Sequence, residues 1–337
     1  MLREALVPLE YQPYIDYAPM TPKQLHSEAC SNDETTINSW RDIWLKNVEY
    51  NQKHYGPFSD RSIGKLFGYA EHKPCILIGS GPSLKINAHE LKNKDKLTSL
   101  SCLHNFHFLE DIECPADFYV TLDAGDVTVE EVYEGGKKTP DEYWALTKNR
   151  KLIAFMGTSP KLLEKWQGEI YFFNAPIPDE ELMKAFDSFE VFNTYVSNGG
   201  NVLGACLYIA KAYFGASVVA FIGADFSFSY DKKFHSWDSK YDKKLGYTIP
   251  ARDVFGLPVK TWRSYHNFKG WFEYISLTVP GVYYNCTEGG TLGAYNEGNI
   301  RSIHQLPLKE FIRQCNIFKE IKEQAEDPKT KVKKLLF

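Results

Sequence analysis

Five short apolar runs in this chain each stop at a turn built from glycine, serine, threonine and aspartate. Residues 74–78 (PCILI) run into GSGPS, and 116–122 (ADFYVTL) into DAGD. Residues 151–156 run into GTSP, 217–222 into GADFSF, and 281–285 into a segment reading NCTEGG. A continuous apolar run this short is a strand buried on both faces, as in a parallel sheet. Further strands are expected at 97–103 and 170–174. Helical spacing lies between the runs, clearest after Ser197-Asn198-Gly199-Gly200-Asn201, where Val202, Cys206, Ile209 and Tyr213 share a face and Gly215 is a plausible stop. Strands alternating with helices predict an α/β fold, with a mostly parallel sheet covered by helices on both faces. Ligands of such sheets bind beyond the carboxyl ends of the strands, where these polar turns gather. The run 217–223 is the most hydrophobic and is expected at the centre.

The rest of the composition sets limits. The chain has 337 residues, 43% hydrophobic and 24% charged, enough apolar material for a sizeable core. Its 39 basic and 43 acidic residues give a net charge of −4, which argues against a general nucleic-acid binder. No stretch has the roughly 20 apolar residues of a membrane span, and the amino terminus lacks a signal-peptide pattern. Seven scattered cysteines without a CxxC spacing indicate neither a disulfide framework nor a zinc ribbon, and point to a reducing, cytoplasmic setting. Three segments are expected: a helical extension over 1–72, a nucleotide-binding α/β domain over 73–315 and a charged tail over 316–337. Within the first, Trp40, Ile43, Trp44 and Val48 have helical spacing, as in an arm that packs on the core or mediates homo-oligomerisation.

The candidate site residues follow from the turns. Gly79, Ser80, Gly81 and Ser83 form a candidate phosphate-binding turn, with glycines allowing close approach and free N–H groups facing an anion. The bland alternative is an ordinary strand-to-helix turn capped by Ser83. The turn is neither a Walker A loop nor GxGxxG. Asp123 and Asp126 are candidates to hold Mg²⁺ on phosphate oxygens or to bond sugar hydroxyls, against a reading as a cap and a solvated turn residue. Ser197, Asn198, Gly199, Gly200 and Asn201 suit close approach to a nucleotide. Asp225 is either a ligand contact or a buried tie between loops. His235 and His266, read as loop residues with aromatic neighbours, are candidate bases or phosphate contacts. Arg263, Lys269 and Arg301 are weaker candidates for neutralising phosphate. His104 and His107 lack an obvious third ligand, so no zinc site is expected.

In order and spacing, CILIGSGPSL, ADFYVTLDAGD, the segment from SNGGN to GADFSFS, and YNCTEGGTLG resemble the MptE-like family over about residues 73–312. That family includes archaeal 6-hydroxymethylpterin pyrophosphokinases, and the motif order is similar in the Maf motility accessory factors, which look like transferases of nonulosonic acids. A second resemblance, to small bacterial sialyltransferases, places Asn105 at a nucleotide-binding position and His266 at that of a catalytic base. Those enzymes have Asn where this chain has Ser80. Their phosphate-binding tyrosines are not cleanly matched: Ser227 stands at one position, and Tyr230 is the candidate substitute. The resemblances imply a Rossmann-like, sialyltransferase-like core. They also imply a transferase that takes a nucleotide or nucleotide-sugar donor, foremost a CMP-linked nonulosonic acid, and a small-molecule, glycan or protein acceptor. In that reading His266 is the base, Tyr230 or His235 meets the leaving phosphate, and no metal is required. The rival is a pyrophosphokinase moving diphosphate from ATP to a hydroxymethylpterin-like acceptor, with Mg²⁺ on Asp123 and Asp126 and Asp225 as a candidate further ligand. A third reading is a non-catalytic nucleotide- or partner-binding protein.

Overall fold

A computed structural model describes residues 22–71, 73–95, 97–229, 235–237, 248–295, 298–299 and 302–326. The core sheet contains β1 (Pro74–Ile78), β2 (Thr98–Cys102), β3 (Phe118–Thr121), β4 (Lys151–Phe155), β5 (Glu169–Phe173) and β6 (Val218–Ile222). A hairpin, β7 (Ile249–Arg252) and β8 (Pro258–Thr261), follows, then β9 (Val282–Asn285), the short pair β10 (Ala294–Tyr295) and β11 (Gly298–Asn299), and β12 (Ile303–Gln305). The eight-stranded sheet has the order β12-β9-β6-β1-β2-β3-β4-β5. Every pairing in it is parallel. The expected strands are all present, and 218–222 is central, between β1 and β9. The hairpin and the edge strand β12 were not expected from the sequence; both are short, and hairpin positions alternate between buried and open.

The helices are α1 (Pro22–Tyr55), α2 (Leu84–Asn87), α3 (Phe106–Asp111), α4 (Thr128–Glu131) and α5 (Pro140–Leu146). They continue with α6 (Pro160–Lys165), α7 (Glu180–Phe189), α8 (Val202–Tyr208), α9 (Arg263–Thr278) and α10 (Leu308–Glu326). The SNGGN segment opens α8 as expected. Asn201 is its N-cap, its side-chain oxygen accepting from the Gly204 N–H at 2.9 Å. A π-helical turn over Ile209–Tyr213 extends α8, and Gly215 then takes a positive φ of 71°. The apolar face of α8 lies on β1, β2 and β3. Complete burial of Val219, Phe221 and Ile222 contributes about 1.5–3 kcal/mol for each side chain. Cys75, Cys102, Cys114, Cys206, Cys286 and Cys315 are free thiols, and no described helix is long and apolar enough to cross a membrane.

The chain reverses its direction of growth across the sheet between β1 and β6. Strands β2 to β5 are added on one side of β1, and β6, β9 and β12 on the other. A crevice therefore opens at the carboxyl ends of β1 and β6.

The first helix is fastened to this same edge. Asn47 and Asn51, one turn apart on α1, are both buried. The Asn47 amide donates to the carbonyls of Ala124 at 3.0 Å and Gly157 at 3.1 Å. The Asn51 amide donates to Met156 at 2.9 Å and Thr158 at 2.8 Å. Four carbonyls in the turns after β3 and β4 are satisfied in this way, and α1 is set across the strand ends. Asn51→Asp keeps the shape and removes the donor, so a carboxylate meets two carbonyl oxygens in a buried place. We expect a loss of about 3 kcal/mol or more in urea denaturation; a loss below about 1 kcal/mol would show that these bonds do not hold the helix.

Candidate functional site

The crevice contains a cavity of about 260 Å³ walled by the ends of β1, β2, β3 and β6 and by α8. Its lining includes Gly79, Ser80, Gly81, Asp123, Asn201, Asp225, Ser227 and His235. The turns after β1 and β6 press together at its floor. A methyl group on Gly79 would lie 2.4 Å from the Gly223 carbonyl oxygen, and one on Gly223 would lie 2.4 Å from that of Gly79. On Gly81 it would lie 2.0 Å from a carboxylate oxygen of Asp225. These glycines are required by contact between the two strand ends.

That contact changes the reading of the first turn. The N–H of Gly79 donates to Ile222 at 2.8 Å, and the N–H of Gly81 to Gly223 at 2.9 Å. The Ser83 hydroxyl donates to Asp225 at 2.8 Å, and its N–H reaches the same carboxylate at 3.3 Å. The N–H groups of Gly79, Gly81 and Ser83, three of those expected to form a phosphate cradle, are thus committed within the protein, and Ser83 makes no capping bond to the four-residue α2. Asp225 ties the two loops, one of the two roles anticipated for it, while still lining the cavity. Phe226 beside it has a positive φ of 48°. That conformation is held by the Thr261 hydroxyl donating to its carbonyl at 2.6 Å and by its ring packing on Phe272 at 5.2 Å.

A second cavity, of about 500 Å³, adjoins the first. Asp123, Asn201, Val202 and Phe268 line both. Asn198 and Gly200 line the second, whereas Ser197 and Gly199 line neither. The glycines of this turn make room for α9: a methyl on Gly199 would lie 2.3 Å from Trp271, and one on Gly200 2.6 Å from Phe268.

Other anticipated residues stand apart from the cavities. Asn105 is fully buried behind the first turn, and its amide donates to the carbonyls of Ile78 and Gly79 and to Ser101, each at 3.1 Å. Asp126 accepts from the Ser159 hydroxyl at 2.8 Å, pairs with Lys161 and lines neither cavity. His266, expected in a loop, lies in the first turn of α9, half-buried and outside the lining of both cavities. Its neighbours do line them, Tyr265 the first and Ser264 the second. Lys269 is buried against Glu273 at 3.2 Å and donates to the Ala294 carbonyl at 3.0 Å, a tie within the fold. Tyr230 and Arg301 lie outside the described residues.

Among the lining groups not anticipated, a histidine and a glutamate stand out. His104, at the end of β2, and Glu131, at the end of α4, face the first cavity. Around them, the His104 ring meets His235 at 4.7 Å and Trp237 at 4.8 Å, and the His107 ring meets Trp237 at 4.7 Å. His104 also approaches Glu134 at 4.0 Å. HNFHF carried a signal in its paired histidines, but the aromatic and acidic partners come from distant segments.

The cavity wall is acidic and poorly solvated. Its described lining has three carboxylates, Asp123, Glu131 and Asp225, and no lysine or arginine. Burial pushes Glu131 up to about 7, opposed by His104 and reinforced by Asp123 and Glu134. Burial likewise pushes Asp225 up to about 7 against the bonds from Ser83. Asp123 is open to solvent through the cavities but enclosed by protein, and desolvation raises its carboxyl, with His104 opposing. Burial and the nearby His104 hold His107 down to about 4 and His235 down to about 3, so both imidazoles are neutral near pH 7.

The sign of one titration is testable. With the folded-state pKa of Asp225 above its unfolded value, its contribution to stability is complete below about pH 4 and is lost as pH rises through about 7. Asp225→Asn removes that loss and leaves the other groups common to both proteins. In urea denaturation from pH 4 to 8, the variant should gain on the wild type by a few kcal/mol at most, given ~1.4 kcal/mol per pH unit of displacement. Parallel stability profiles would contradict the assignment.

Comparison with known proteins places these features in context. The family model for 6-hydroxymethylpterin diphosphokinase MptE-like proteins matches residues 44–231, from within α1 to just beyond β6. A search of curated proteins finds no match. A solved Maf glycosyltransferase from Magnetospirillum magneticum AMB-1 shares the fold with a TM-score of 0.51 at 15% sequence identity. The likeness covers 78% of this chain but only 38% of that protein. With more than half of its length inside the family model and the same α/β architecture as the Maf structure, this chain belongs to the MptE-like family.

Proposed function

We propose that the protein is a transferase that moves a glycosyl group from a nucleotide-activated donor, foremost a CMP-linked nonulosonic acid, to an acceptor hydroxyl. The observation that carries this reading is a cavity at the topological switch point with a second one adjoining it beside the ends of β3, β4 and β5, and with Asp123 on the wall of both. Donor and acceptor each have a chamber, and a proton acceptor stands where the chambers meet.

Charge supports this donor over ATP. The described wall has no lysine or arginine to compensate a triphosphate, and its three carboxylates, two of them pushed up to about 7, disfavour added negative charge increasingly as pH rises. The same wall favours the positive charge that develops on a sugar as its anomeric bond loosens, as in other oxocarbenium-like transition states. In the reaction, Asp123 takes the proton of the acceptor hydroxyl as the acceptor oxygen bonds to the anomeric carbon. The bond from that carbon to the phosphate oxygen breaks, and its electron pair leaves with CMP. His235, on the wall of the first chamber, would meet the departing phosphate. The MptE-like family description and the Maf neighbour are both consistent with transfer chemistry.

The family description also supports a second reading, diphosphate transfer from ATP to a hydroxymethylpterin-like acceptor. Mg²⁺ would then rest on Asp123 with Asp225 or Glu131, because Asp126 is engaged by Lys161 and Ser159. The metal would screen the phosphates from the acidic wall.

His266 remains the rival base on resemblance, but Asp123 is favoured because it borders both chambers. With a CMP-nonulosonic acid donor and CMP release as the readout, Asp123→Asn should lower kcat at least ~100-fold. His266→Ala should lower it less than about tenfold. The reverse order would return the role of base to His266, and no release by the wild type would count against the donor assignment.

A further inference from the structure

We infer that the second chamber is an acceptor site for a neutral saccharide and that the amino-terminal helix α1 builds one wall of it; this rests on the transferase reading. Thr35, Thr36, Ile37, Trp40 and Trp44 of α1 line the cavity opposite the turn from Asn198 to Asn201. The helix is held in that place by Asn47 and Asn51, each bonded to two carbonyls of the strand-end turns. The rim of the Trp40 indole would lie 3.1 Å from a methyl group on Gly125, two residues beyond Asp123. Trp44 stands edge-on to Phe155 at 6.3 Å. An aromatic wall is thereby fixed beside the proposed base.

The chemistry of the lining selects the occupant. Indole rings offer an apolar face to the C–H side of a pyranose, while Asn198, Asn201, Asp123 and Ser264 offer donors and acceptors to its hydroxyls. The described lining has no lysine or arginine to balance an acidic acceptor. The volume of about 500 Å³ lies within the range of small-molecule sites. The shared wall at Asp123 brings an acceptor hydroxyl to the donor chamber without a second protein surface.

The test uses the full-length protein with ¹⁵N-labelled tryptophan and a panel of methyl glycosides of neutral hexoses and N-acetylhexosamines. Trp40→Phe assigns the Trp40 indole resonance. We expect at least one glycoside to shift that resonance saturably, and Trp40→Ala, checked for an unchanged melting profile, to weaken the binding at least fivefold. If Trp40→Ala does not fold, the shift of the wild-type Trp40 resonance decides alone. Absence of any shift overturns the proposal, as does binding of equal strength in a folded Trp40→Ala. A shift caused by 6-hydroxymethylpterin and by no glycoside overturns the saccharide assignment. CMP titration of the same sample separates the two levels: a glycoside-bound protein that ignores CMP refutes the donor reading and leaves the saccharide site standing.

Discussion

The contact between the ends of β1 and β6 governs the rest of the molecule. Gly79 and Gly223 meet with no room for a side chain on either. This contact closes the floor of the crevice where the sheet changes its direction of growth. It consumes the N–H groups of Gly79 and Gly81, and it draws Asp225 under the first turn, where Ser83 holds it. The cleft that results is acidic and lacks a described cation. A strand-turn-helix motif that resembles a phosphate cradle in sequence has become, in three dimensions, a structural clasp. In the proposed transferase, recognition of the donor would then fall to Ser80 and to the other walls of the cleft.

Much of the fold was legible because the relevant signals are local. Each buried strand is a continuous apolar run, and each stops at a turn residue, so strand positions and the parallel class follow directly. The helix after Asn201 announces itself by its cap and its apolar spacing. Edge strand β12 and the hairpin of β7 and β8 were missed because they are brief and only partly buried, so burial leaves a weak imprint on their residues. The family likewise follows from motif order, a property of the chain before it folds.

The site was legible in part, and the division has a physical basis. Gly79, Ser80, Gly81, Asp123, Asn201, Asp225 and His235 were expected from their strand-end positions or sequence setting, and all line the first cavity. Asn105 and Asp126 occupy the same sheet edge, but the Asn105 amide N–H groups and the Asp126 carboxylate are spent on neighbouring backbone, serine or lysine. Sequence position cannot show which polar group already has a partner. Glu131 and His104 went unrecognised because their importance depends on a cluster assembled from four separate segments. The role of α1 was hidden for a similar reason: its tryptophans looked like a packing stripe, and the bonds of Asn47 and Asn51 to distant carbonyls leave no sequence pattern.

Taken together, the clasp, the acidic wall and the two chambers describe a site that handles one phosphate more easily than three. The most direct measurement is calorimetric titration of the protein with CMP and with ATP, each with Mg²⁺ and with EDTA. The account predicts saturable CMP binding that persists in EDTA and exceeds any binding of metal-free ATP. Binding of ATP alone, and only with Mg²⁺, would contradict it and make the diphosphokinase reading the better description; no binding of either nucleotide would contradict both.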